Sequence, residues 1–330
     1  MNALYGNASV LWLVFGIAGL ALAVAPDVSE ASSILRVGPK ETLKTPSAAA
    51  AVARDGDVIE IEAGVYPGDA AVWRQNGLTI RGVGGVAHLR ADGAHAEEKA
   101  IWVIKGANTR IENIEFSGAR VPHRNGAGIR LEGANLTVRH CRFHHNEMGI
   151  LTGANLASDI VIEHSEFAYN MRPDGHNHNI YIGTVRSFTL RESHVHHATV
   201  GHNVKSRAHR NFIFHNRIMD EHDGRASYAL EFPNGGIAFV LGNVIQQGPL
   251  NENPTLLSFG AEGLKNPFNE LYVVNNTFLN DDPRGGRFIV VWGSANSVRI
   301  AKNVFSGSGE LLIGTGELID NQHVASGKGF

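Results

Sequence analysis

Asn113-Ile-Glu-Phe116, His140-Cys-Arg-Phe143, His164-Ser-Glu-Phe167, Glu192-Ser-His-Val195 and His215-Asn-Arg-Ile218 are variants of one short segment. The series continues as Gly242-Asn-Val-Ile245, Asn275-Asn-Thr-Phe278 and Lys302-Asn-Val-Phe305. Successive final residues are 27, 24, 28, 23, 27, 33 and 27 positions apart, so one unit recurs with length changes confined to its connections. Such a period marks a repeat architecture, in which each unit buries its apolar face only against its neighbours.

A second row interleaves with the first: Gly128-Ile-Arg-Leu131, Gly149-Ile-Leu-Thr152, Asn179-Ile-Tyr-Ile182, Asn203-Val-Lys-Ser206, Ala229-Leu-Glu-Phe232, Leu256-Leu-Ser-Phe259 and Ile289-Val-Val-Trp292. Both rows alternate apolar with other residues, the period of a strand with one buried face, and helical spacing is absent. The connections lack the two-residue turn signals of hairpins. The expectation is an all-β chain: a single right-handed parallel β-helix, or solenoid, with equivalent strands stacked about 4.8 Å apart. Asn216, Asn243, Asn276 and Asn303 share one place in successive coils, where stacked amides can hydrogen-bond along the axis.

The two ends fit this scheme. Thr45 to Ala53 reads as a short alanine-rich helix that caps the open end of the core. Val10 to Ala25 is an apolar run of 16 residues, read with its flanks as an export signal over 1–31, with Ser29-Glu30-Ala31 as the cleavage site. The alternative is an uncleaved membrane anchor. The β-helix domain then covers 34–330. The one cysteine, Cys141, makes no internal bridge and is expected to be buried and inert. A formal net charge of -3 argues against nucleic acid, which selects for a basic excess.

The segment from Ala48 to Gly84, with its alanine-rich helix, Asp55-Gly-Asp57, Gly64-Val-Tyr66 and Ile80-Arg-Gly-Val-Gly84, resembles the opening of pectin-lyase-like β-helix proteins. That superfamily includes lyases, hydrolases, epimerases and non-catalytic binders, so the resemblance implies a fold more than a function.

In the second row, with Val204 and Ser206 inward, Asn203, Lys205 and Arg207 point outward. The preceding coil sets Asn179 and Tyr181 beside them, the following coil Glu231, and Arg130 lies further back at the same height. His178 and His202 flank the patch. Such a set suits proton abstraction from a uronic acid: Lys205 as base, disfavoured as a cation by Arg207; Tyr181 protonating the leaving oxygen; Arg207 or Arg210 holding the carboxylate. The other outward groups would bind substrate. The plain alternative is a solvated strand face in which Lys205 and Glu231 form an ordinary surface ion pair.

The segment Asn203-Val-Lys-Ser-Arg-Ala-His-Arg210 is similar to the catalytic coil of polysaccharide lyase family 6, the alginate and dermatan lyases. The resemblance implies that Lys205 is the base. It also implies an arginine in the next coil, where this chain has Leu230-Glu-Phe-Pro233 instead. The family's Ca²⁺ would here take oxygens from Asn179, Asn203 and Glu231, and one carboxylate is few for that ion. No histidine spacing is a specific zinc signature, so no metal ligand is assigned. The expected partner is an acidic polysaccharide handled by a secreted or periplasmic monomer, as lyase or C5-epimerase. Rival readings are a glycoside hydrolase, which needs converging carboxylates, and a non-catalytic glycan-binding or envelope-structural β-helix.

Overall fold

A computed structural model describes residues 32–172 and 177–324. The expected export signal at 1–31 lies outside the described residues. No helix among the described residues is long and apolar enough to cross a membrane.

From Ser32 onward the chain is one compact unit. It is a parallel β-solenoid of a 21-stranded and a 10-stranded sheet, in which strands pair with the equivalents one turn before and after. The smaller sheet runs from Ala71–Trp73 through Ile180–Ile182, Val204–Ser206 and Leu230–Phe232 to Glu310–Ile313. It contains the second row of the sequence. The first row lies in the larger sheet with a third row that the two-row reading misses: Ala107–Glu112, Ala134–Arg139, Val185–Arg191, Arg210–Phe214 and their successors. Each turn through the middle of the solenoid therefore carries three strands. The third was hidden because only about two residues separate it from the first row: Ala134–Arg139 gives way to Arg142–His144 across His140 and Cys141.

That corner is sharp because its first residue is left-handed. Asn113, His140, His164, Glu192, His215, Asn275 and Lys302 all have φ between +47° and +56°, at roughly 1–2 kcal/mol each for a side chain other than glycine. The next residue along secures the turn. Asn216 donates its Nδ2 to Asn243 Oδ1 (2.9 Å), and Asn243 does the same to Asn276 (2.9 Å) and Asn276 to Asn303 (3.0 Å). The same oxygens accept backbone N–H groups of the preceding coil. Ser193, Ser165 and Cys141 hold this place in earlier coils. Burial pushes the Cys141 thiol up to about 12, which makes it inert as expected.

Inside, equivalent side chains stack. Phe116, Phe143 and Phe167 lie 4.9 and 4.6 Å apart with near-parallel rings. The helix Pro46–Val52, with Thr45 Oγ1 accepting from Ala48 N–H, buries Ala49 and Ala50 against the first turns. At the far end, strands Glu317–Ile319 and Gln322–Val324 continue the solenoid past Leu312.

Candidate active site

The pairing fixes which side chains of the smaller sheet are neighbours. Arg130 stands opposite Leu151, Leu151 opposite Tyr181, Tyr181 opposite Lys205, Lys205 opposite Glu231 and Glu231 opposite Ser258. The row continues to Val290, while Val291 pairs with Phe259 and joins the core. Ile180, Val204 and Leu230 face the core, so the intervening Tyr181, Lys205 and Glu231 face out as the alternation requires. Earlier in the row the outer face is apolar apart from Arg130: Val103, Met148 and Leu151 pack with Ala96, Ala100 and Ala127, and Tyr181 borders them. Continuous polarity begins at Tyr181.

Two groups converge on the buried Glu231 carboxylate. His202 Nδ1 lies 2.9 Å from its Oε2 and Lys205 Nζ 3.1 Å, although neither aims a hydrogen squarely at that oxygen. Burial opposes the charge of Glu231, yet the two neighbours outweigh it and its pKa is lowered. Burial also lowers the pKa of His202, against the pull of Glu231, which favours the neutral imidazole. Its own backbone N–H donates to His178 Nδ1 (2.9 Å), and the two rings lie 4.6 Å apart. His178 in turn stacks on Tyr181 at 5.6 Å.

Arg207 closes the other side. Its Nε donates to Tyr181 Oη (2.8 Å) and its Nη1 to Asn234 Oδ1 (2.5 Å). Both terminal nitrogens grip Glu262, at 2.7 and 2.8 Å, and Lys205 Nζ donates to the same carboxylate at 3.1 Å. The grip of Arg207, then of Lys205, holds the Glu262 carboxyl down to about 2 despite partial burial. Glu262 arrives from a loop stacked on the corner one coil earlier: its N–H bonds Pro233 O, and Gly260 N–H bonds Phe232 O.

An open cleft of about 480 Å³ runs past His178, His202, Lys205, Ser227 and Glu252. Its wall includes Val200 at φ +61°, a conformation rarely tolerated by a β-branched residue and costing about 1–3 kcal/mol. Next to it, a Cβ on Gly201 would lie 1.3 Å from Asn177 O, so only glycine fits there.

The structure thus brings together Tyr181, Lys205, Arg207, Glu231, His178 and His202. Four expected members fall elsewhere. Asn179 and Asn203 are wholly buried links of a second ladder: Asn146 to Asn170 to Asn179 to Asn203 to Asp220. They stand where the chain bends before the strand, and corner carbonyls and amides need partners there. Asn203 Oδ1 already accepts from Asn179 Nδ2 and Ala198 N–H, and Asn179 Oδ1 from Asn170. Their oxygens are committed, and the expected Ca²⁺ set does not fit this structure. Arg210 begins the third-row strand Arg210–Phe214, on a different sheet. Arg130 shares the outward position but is separated from Tyr181 by the Leu151 rung. Glu262 and Asn234 were missed, since no periodicity places a loop residue 57 positions beyond Lys205 against it. Lys205, expected beside Arg207 and Glu231, lies between two carboxylates, Glu231 and the unforeseen Glu262.

The model of the right-handed β-helix region matches residues 76–245, 170 of the 330. This chain belongs to that family. No curated protein matches it by sequence. Among solved structures it is similar to Geobacillus virus E2 ORF18 (TM-score 0.48, 12% identity), covering 82% of this chain and 53% of that one. The chain thus spans about half of that protein. An alginate lyase from Paenibacillus sp. str. FPU-7 is similar at TM-score 0.47 and 13% identity, over 88% of this chain and 99% of that one. Pectate lyase Pel9A is similar at TM-score 0.45 and 12% identity, over 89% and 78%. At these values the likeness concerns the fold alone.

Proposed function

We propose that the protein acts on an acidic polysaccharide, removing the proton beside a uronate carboxylate as a lyase or C5-epimerase. The observation that carries this reading is Glu262. A carboxylate already sits bidentate on Arg207 and against Lys205, at the distances a substrate carboxylate would take. A uronate entering the cleft would replace Glu262 on the same two cations, and their charge would stabilise the carbanion-like transition state.

The geometry shifts one expected role. Lys205 is clasped by Glu231 and Glu262 and serves as a charge donor to the carboxylate, whereas His202, buried and neutral with Glu231 behind it, suits the base. His202 would take the C5 proton, and the freed electron pair would form the C4–C5 double bond as the C4–O bond breaks. Tyr181 accepts a hydrogen bond from Arg207, which leaves its own hydroxyl proton for the departing oxygen. In an epimerase the proton would instead return on the opposite face. The similarity of the Lys205 coil to polysaccharide lyase family 6 agrees with the reaction class and differs in the base.

The test is incubation with alginate, polygalacturonate and glycosaminoglycans, following the ultraviolet absorbance of unsaturated ends and, in heavy water, deuterium at C5. Either signal, abolished by His202→Gln and Lys205→Met, supports the proposal. Reducing ends released without unsaturation would mean hydrolysis. Binding without any chemistry would mean a lectin-like role.

A further inference from the structure

The larger sheet carries a second group of chemically capable side chains, which the polysaccharide reading does not use. Leu89, Phe116 and Phe143 stack inward on consecutive coils, so the residues on either side of them face out: His88 and Arg90, Glu115 and Ser117, Arg142 and His144. His88 and Glu115 are direct neighbours across one rung, and His144 stands opposite Ser117 on the next. Glu115 Oε1 lies 2.8 Å from His144 Nε2 and 3.5 Å from His88 Nε2, and the three donor atoms lie within 4.8 Å of one another. Donors around a tetrahedral zinc, with bonds of about 2.0–2.2 Å, sit about 3.3 Å apart.

We propose that His88, Glu115 and His144 bind one divalent transition-metal ion, with Zn²⁺ as the best match. Two imidazoles and one carboxylate are the donor set zinc accepts, and nitrogen donors disfavour Ca²⁺ and Mg²⁺. The surroundings favour the ligand forms. His144 Nε2 lies 2.8 Å from Glu115 and its Nδ1 2.8 Å from His145 Nδ1; once the ion takes Nε2, the ring proton sits on Nδ1, where the His145 lone pair accepts it. The nearby cations are matched elsewhere: Arg90 is held by Asp92 at 2.8 Å, and Arg142 by Glu166 at 3.0 Å against 3.8 Å to Glu115. All three side chains are half-buried and held by paired strands, so the cluster is largely preformed. Ser117 Oγ, 2.7 Å from His88 Nε2, must turn aside when the ion enters. Three protein ligands leave a coordination position for water or an incoming oxygen ligand.

The test uses the whole protein stripped with chelator, titrated with Co²⁺ by visible absorbance and with Zn²⁺ by calorimetry. The expected result is one saturable Zn²⁺ per chain. Its affinity should fall about tenfold or more in each of His88→Gln, Glu115→Gln and His144→Gln, as loss of a direct ligand must exceed the effect of a supporting one. His194→Gln, two coils further along where His194 stacks on His196 at 4.1 Å, should leave it unchanged. Glu115→Gln keeps shape and size, and an unaltered circular dichroism spectrum separates ligand loss from misfolding. Zn²⁺ binding indifferent to all three substitutions, or no saturable binding, overturns the site. Neither outcome touches the cleft on the smaller sheet.

Discussion

Asn203 and Lys205 are two residues apart, and the fold uses them in opposite ways. Asn203 lies in the corner before the strand, buried, with its side chain bonded to Asn179, Ala198 and Asp220. Lys205 projects from the strand into the cleft, against two carboxylates, one of which belongs to a loop residue. The first arrangement satisfies its polar atoms within the chain. The second leaves a buried Glu231 oxygen with two close nitrogens and no aligned donor. Polar groups that complete a ladder hold structure, and polar groups whose pairing is incomplete are available to a ligand.

Substitutions should separate these roles. His202→Gln should lower turnover by about 10²–10⁴-fold, the usual worth of a positioned base, and Lys205→Met by about 10²–10³-fold, with melting temperatures near the parent value in both. Asn203→Ala should do the converse. It strands partners on both sides of the ladder and should cost about 2–5 kcal/mol in denaturant unfolding. A stable Asn203→Ala, or a Lys205→Met that unfolds, would erase the distinction.

The end of the ladder adds a pH signature. Burial, against hydrogen bonds from Asn203 and Ala226, raises the Asp220 carboxyl to about 7. Its folded pKa exceeds the unfolded value of 3.8, so the protonated form favours the fold. That contribution is complete below about pH 4 and is lost as pH rises towards 7. Asp220→Asn should remove this slope from the stability profile. His202 has the opposite sense: with its pKa lowered, activity that needs the neutral ring should persist below the ordinary histidine value of 6.5 before falling. The smallest effect is expected at Glu262. Removing its charge frees the cations, and Glu262→Gln should lower KM for a polyuronate by up to about fivefold, the worth of a partly exposed ion pair.

The outward placement of Tyr181, Lys205 and Glu231 was legible because a parallel ladder translates sequence period directly into rungs. The same logic failed at Asn179 and Asn203. They precede the strands, and at a bend alternation no longer says which way a side chain points. Glu262 was illegible for another reason: its contact depends on how the Pro233 and Gly260 loops stack, and loop length carries no register. The third strand of each turn was concealed by the left-handed residue that joins it to the first row, a conformation that Asn and His favour but Glu and Lys do not announce.

The most direct test of the cleft is the C5 proton of a polyuronate, followed by proton nuclear magnetic resonance in heavy water. Elimination removes that proton and epimerisation exchanges it, so its signal should decline with the native protein and persist with His202→Gln. An undiminished C5 signal on every polyuronate, whether or not the chain is cut or bound, would contradict the account.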